Sequence, residues 1–137
     1  MLKLFTDAAV SPKDQLAGAG LVVTGEGIYE QLLFPLPQTT DNHLAELQAF
    51  SLALNWVIEN KHTEQYLLFY TDSQLVSQSI KKERIKNTDY QPIFASILDS
   101  LRALHLYEVI WIPEKENRGA DNLAKQSLAK QRKNKKR

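Results

Sequence analysis

Tyr66-Leu67-Leu68-Phe69-Tyr70 is an apolar run of strand length with no alternation between apolar and polar positions. Such a segment suits a strand buried on both faces, inside a sheet that helices cover. It commits the chain to a layered α/β arrangement, and the surrounding patterns must fit around it.

They do so in a definite order. Leu2–Asp7, Ala17–Thr24 and Ile28–Leu36 read as strands, with turn chemistry in Ser11-Pro12-Lys13-Asp14 and Gly25-Glu26-Gly27 between them. The short second connection implies an antiparallel hairpin. From Asp41 the period becomes helical, with Leu44, Leu47, Phe50 or Ser51, Leu54 and Val57 or Ile58 on one stripe. Helical patterns recur at Ser73–Lys81 and Gln91–Leu104. Tyr107–Ile112 resumes strand character until Pro113, and a last helix begins near Arg118 or Gly119. Three strands, helix, strand, one or two helices, strand, helix describe a mixed sheet with flanking helices, whose later connections resemble parallel crossovers.

With 137 residues the chain accommodates one domain with a core of useful size. The absence of cysteine excludes a disulfide framework, a thiolate zinc site and a cysteine nucleophile. No apolar run reaches the ~20 residues of a membrane-spanning helix, and Asp7 interrupts any signal-type segment, so a cytoplasmic protein is expected. Charge is unevenly distributed. Seven of the 17 Lys and Arg residues lie at 125–137, where no acid occurs, so residues 1–124 carry ten bases against all 16 acids, a net −6.

The chemically informative residues are acids attached to apolar elements. Asp7 and Asp72 each close a Thr-Asp strand end, so both should project from the end of a strand inside the sheet. Glu46 precedes Phe50, Ala53 and Val57 by helical intervals, which sets its carboxylate on or beside the buried face. Asp121 stands in the same relation to Ala124 and Leu128. Each has a structural explanation of its own: Asp72 as a helix cap, Asp121 as an acid in a helix's first turn, Glu46 as an edge residue reaching solvent. Gathered at one sheet edge, however, four carboxylates would repel unless protonated or bridged by cations. Oxygen-only ligands favour Mg²⁺ or Mn²⁺, and two such ions roughly 4 Å apart suit phosphodiester hydrolysis.

Phe5-Thr6-Asp7, Leu44-Ala45-Glu46-Leu47, Tyr70-Thr71-Asp72-Ser73-Gln74 and Ala120-Asp121-Asn122-Leu123-Ala124 resemble, in order and on matching elements, the four acidic motifs of type 1 ribonuclease H. The resemblance covers about residues 1–130. It implies a ribonuclease H-like fold with a five-stranded mixed sheet. It also implies a two-metal endonuclease that cuts the RNA strand of an RNA/DNA hybrid, leaving 3′-hydroxyl and 5′-phosphate ends. Asp7 would then bridge both ions, Asp121 would complete the site of the ion that activates water, and Glu46 with Asp72 would hold the other. By the same similarity Asn42 and Gln74 match positions that contact the minor groove, where the 2′-hydroxyl distinguishes RNA from DNA. The alternative for both amides is a helix-start residue bonding its own backbone.

Three departures from the family pattern accompany the match. Pro113–Gly119, the segment before the last acid, lacks the histidine that assists product release in many members; Glu116 or Glu114 is the candidate substitute, and a solvated loop acid is the alternative. The long basic protrusion is absent, leaving Lys81, Lys82, Arg84 and Lys86 around Glu83. Asp41 stands where a phosphate-binding threonine would be expected. His43, His62 and His105 lack zinc-site spacing and read as structural or surface residues, and Trp56 and Trp111 read as core.

The basic segment Gln131–Arg137 is expected to be a disordered tail beyond a catalytic domain at 1–130, either contacting phosphates or simply solvating the end. The expected partner is an RNA/DNA hybrid, with no membrane and a monomeric state. Two other functions fit the same residues. One is a non-catalytic nucleic-acid-binding module on this fold; the other is a related metal-dependent nuclease with a different substrate.

Overall fold

The computed structural model describes residues 1–135. Strands β1 (Leu2–Ser11), β2 (Leu16–Gly25) and β3 (Ile28–Leu36) form an antiparallel meander. Helix α1 (Asn42–Glu59), strand β4 (Tyr66–Thr71), helices α2 (Gln74–Lys82) and α3 (Gln91–Arg102), strand β5 (Leu106–Trp111) and helix α4 (Arg118–Lys135) follow. Short 3-10 turns at Thr88–Tyr90 and Glu114–Glu116 precede α3 and α4. The single sheet runs β3-β2-β1-β4-β5, with β4 parallel to both β1 and β5. The five-stranded mixed sheet with flanking helices is therefore the one the sequence implies, and Tyr66–Tyr70 lies inside it.

The β2–β3 connection is a two-residue hairpin in which Gly25 pairs with Ile28 and both central residues, Glu26 and Gly27, have positive φ (51° and 74°). That turn matches the natural twist of paired strands, and it fixes the register of the meander. Alternation then sorts the side chains. Leu2 and Leu4 of β1, Leu21 and Val23 of β2, and Leu67 and Phe69 of β4 face the main core. There they meet Leu47, Phe50, Leu54 and Val57 of α1, Val76 and Ile80 of α2, and Phe94, Ile97 and Leu101 of α3.

Helix α4 takes the opposite face. Gly18 and Gly20, which alternate with Ala17, Ala19 and Leu21, carry no side chain toward it, and the helix lies almost on the β2 backbone. A Cβ at Gly20 would stand 2.1 Å from the Ala120 carbonyl oxygen, and one at Gly18 would stand 2.6 Å from Ser127 Oγ. Ser127 Oγ also donates to the Phe34 carbonyl at 2.7 Å, tying α4 to β3.

Four sequence expectations change. β1 does not stop at Asp7, because β2 continues to pair with it as far as Ser11↔Leu16 after its parallel partner β4 has ended at Thr6↔Thr71. Asp7 is thus inside a strand, at the point where one neighbour leaves. The chain does not lose order at Gln131: α4 continues to Lys135, held by Gln131 Nε2 donating to the Ala17 carbonyl (2.8 Å) and by Arg132 Nε on Asp14 Oδ2 (2.6 Å). Residues 136 and 137 of the predicted tail lie outside the described residues. Trp111 is not core but 44% exposed at the end of edge strand β5, whereas Trp56 is buried and stacks on His62. Helix α3 ends at Arg102, two residues early. No helix among the described residues is long and apolar enough to cross a membrane.

Candidate active site

The last parallel pair, Thr6↔Thr71, sets the site. The residue after each is an aspartate, Asp7 within β1 and Asp72 just past the end of β4, so the two emerge side by side. Between β4 and α2 the capping work falls to neighbours of Asp72: Ser73 N–H donates to Thr71 Oγ1 (3.0 Å), and Ser73 Oγ accepts from the Val76 N–H (3.2 Å). The cap reading of Asp72 is thereby removed, and its carboxylate is left for the site. Glu46 comes from the main-core side, in the second turn of α1. Asp41 caps that helix by accepting the His43 and Leu44 N–H groups.

Asp7, Glu46 and Asp72 each place a carboxylate oxygen within 4.8 Å of the others. Asp7 is only 5% exposed. Burial first, and then the charge of Asp72, push its carboxyl up to about 8. Burial likewise raises Glu46 well above the ordinary carboxylate range, with Asp7 and Asp72 adding to it. Among the described residues no lysine, arginine or histidine forms a salt bridge with any of the three. Three such groups cannot all ionise in one desolvated space without a cation. The donor set, oxygen only and closely spaced, fits a hard divalent ion such as Mg²⁺ or Mn²⁺.

Asp121 is outside that triad but adjoins it, since both its hydrogen bonding and its charge raise Asp7. Its place follows from Gly20, which pairs with Asp7 and lets the first turn of α4 down onto the sheet beside it. Lys125, one turn later, holds Asp121 Oδ2 at 3.0 Å.

Asn42 and Gln74 occupy the first positions of α1 and α2 and are exposed. Because Asp41 and Ser73 do the capping, neither amide bonds its own helix end, and among the described residues neither has a side-chain hydrogen bond. Glu114 and Glu116 are exposed in the 3-10 turn before α4; neither joins the triad, and the charge of Glu114 reaches Lys125. Asp41, beyond capping α1, accepts the Tyr90 hydroxyl at 2.7 Å. That bond lowers Asp41, while burial and the same contact push Tyr90 up to about 12.

Sequence reasoning missed two features. A cleft of about 780 Å³ beside the α1 N-terminus is lined by His43, Lys82, Arg84, Lys86, Asn87 and Tyr90 among others, so three of the four bases around Glu83 share one concavity. Asn117 is buried and donates to Asp72, a role that an asparagine before a helix does not announce.

A family model described as RNase H matches residues 1–129. The chain belongs to the RNase H family. This RNase H chain is 36% identical over 136 residues to EbsB of Enterococcus faecalis, provisionally named a hydrolase, covering 99% of the chain and all of that relative. Its fold is shared with RNase H1 of the halophilic archaeon Halobacterium salinarum, with TM-score 0.82, 22% identity, and 94% and 98% of the two chains covered. It is shared equally with LC11-RNase H1, solved in complex with an RNA/DNA hybrid, with TM-score 0.83, 23% identity and coverage of 95% and 98%.

Proposed function

We propose that this RNase H chain is a divalent-cation-dependent endonuclease that hydrolyses the RNA strand of RNA/DNA hybrids. The observation that carries the proposal is the convergence of Asp7, Glu46 and Asp72 within 4.8 Å, in a chain of this family and with no salt bridge to any of the three among the described residues. The hybrid bound by LC11-RNase H1 supports the choice of substrate.

Asp7, which the charges of both Asp72 and Asp121 reach, would be the acid shared by two cations. Glu46 and Asp72 would complete one position and Asp121 the other. Bound Mg²⁺ or Mn²⁺ would supply a water acidified for attack and charge stabilisation at the departing oxygen. Attack on the phosphorus with departure of the 3′ oxygen leaves 3′-hydroxyl and 5′-phosphate ends. Burial of Asp7 and partial burial of Glu46 and Asp72 would strengthen their hold on a cation.

Asn42 and Gln74, exposed at the openings of α1 and α2, present donors and acceptors to the 2′-hydroxyls of a minor groove. Glu114 or Glu116, both exposed in the turn before α4, would assist product release. Among the described C-terminal bases, Arg132 is held by the Asp14 carboxylate and Lys135 Nζ donates to the Asp14 carbonyl at 3.4 Å, and exposed Lys130 and Lys133 would meet phosphate.

The test is cleavage of end-labelled RNA/DNA hybrid, duplex DNA, duplex RNA and single strands with Mn²⁺, with Mg²⁺ and with chelator. Cutting of the hybrid's RNA strand alone, dependent on the ion, is expected. Hybrid binding without cutting would make the chain a binding module, and cutting of another substrate would make it a different nuclease.

A further inference from the structure

Asn117 stands immediately before α4, is 1% exposed, and touches the supports of three of the four acids. Its Nδ2 donates to the Thr6 carbonyl at 2.8 Å, directly before Asp7, and to Asp72 Oδ2 at 3.2 Å. Its own backbone carbonyl accepts the Asp121 N–H at 3.1 Å. β1, β4 and α4 are therefore joined at one residue.

The side-chain oxygen shows that this is not an ordinary helix cap. An asparagine before a helix normally turns its Oδ1 onto an N–H group of the first turn. Here Oδ1 is buried and accepts no hydrogen bond from the described residues. Rotating the amide would set its oxygen against the Thr6 carbonyl and the Asp72 carboxylate, both acceptors, so the orientation is fixed. A buried unmatched oxygen is unfavourable, and the arrangement keeps it while spending Nδ2 on the acid.

We infer that Asn117 is a positioning residue for the cation site: it fixes the Asp72 carboxylate and locks Asp7 and Asp121 into one frame. This rests on the reading that these acids hold divalent ions. Partners that orient a metal ligand typically change metal affinity by 10–100-fold when removed.

The test is calorimetric Mn²⁺ titration of the full chain, the Asn117→Ala and Asn117→Ser variants, and Leu128→Ala. The last variant loosens α4 at a buried position about two turns beyond Asp121. Tenfold or more weaker Mn²⁺ binding is expected in Asn117→Ala. Asn117→Ser, which restores a helix cap, is expected to regain thermal stability without regaining affinity, and Leu128→Ala to stay within twofold of the parent. At saturating Mn²⁺ the hybrid KM of Asn117→Ala should equal the parent's. Parent-like affinity in Asn117→Ala or Asn117→Ser, or an equal loss in Leu128→Ala, overturns the inference; so does failure of both Asn117 variants to fold, which would make the residue a fold determinant. A parent that takes up no Mn²⁺ overturns the cation reading itself.

Discussion

Gly20 faces Asp7 across the β1–β2 ladder, and the absence of a side chain there lets the first turn of α4 rest on the sheet beside the buried acid. The approach is a backbone contact, so it has no flexible atom to give way. Gly20→Ala should therefore force α4 outward and carry Asp121 away from Asp7. We expect a loss of about 3 kcal/mol in urea unfolding, at the upper end for overpacking, and at least a tenfold loss of hybrid cleavage. Gly18→Ala meets the Ser127 side chain first and lies further along α4, so it should cost stability with little change in Mn²⁺ affinity. Equal effects of the two variants on affinity would contradict this.

The acids themselves set a pH dependence. Asp7 and Glu46 hold their protons more tightly when folded than the ordinary carboxylate range near 4 of an unfolded chain. For Asp7 the window runs from about pH 4 to about 8, where the folded state binds more protons and stability falls as pH rises, and Glu46 acts in the same direction. Asp14, Glu26 and Asp41 are shifted down instead, so their effect lies below about pH 4. In chelator, Tm should drop by roughly 5 °C or more from pH 5 to pH 8, and millimolar Mn²⁺ should recover it, most strongly at pH 8. A metal-free Tm that rises across this range would refute the buried-acid account.

Asp41 accepts the hydroxyl of Tyr90, which lines the same cleft as Lys82, Arg84 and Lys86. Asp41→Thr keeps a capping hydroxyl for α1 and removes one negative charge. Hybrid KM should fall several-fold at low salt, converging with the parent at high salt as charges are screened. An unchanged KM would show that the substrate does not approach this cleft.

The sequence carried the architecture because the signals were local. Tyr66–Tyr70 named a central strand, Gly25-Glu26-Gly27 named the hairpin, and the stripe from Leu44 to Val57 named α1. Convergence of the acids was legible only as a pattern, since Asp7, Glu46 and Asp72 meet through pairing register between distant segments. What stayed hidden depends on tertiary contact. β1 outruns Asp7 because β2 keeps pairing with it. α4 outruns Gln131 because Ala17 and Asp14 lie alongside to bond Gln131 and Arg132. Trp111 is exposed because β5 is an edge. Asn117 gives no signal in the chain, as its importance lies in an amide that reaches Thr6 of β1 and Asp72 just beyond β4.

The most direct measurement is cleavage of a hybrid labelled on its RNA strand, in Mn²⁺, by the parent and by Asp7→Asn and Asp72→Asn. Both variants remove charge from a crowded acidic site, so both should remain folded, with a metal-free Tm at pH 8 at or above the parent's. We predict ion-dependent cutting by the parent and a loss of at least a thousandfold in each variant, on the order of 4 kcal/mol of transition-state stabilisation. A folded variant that still cuts at the parent's rate, or a parent equally active in chelator, would contradict the account.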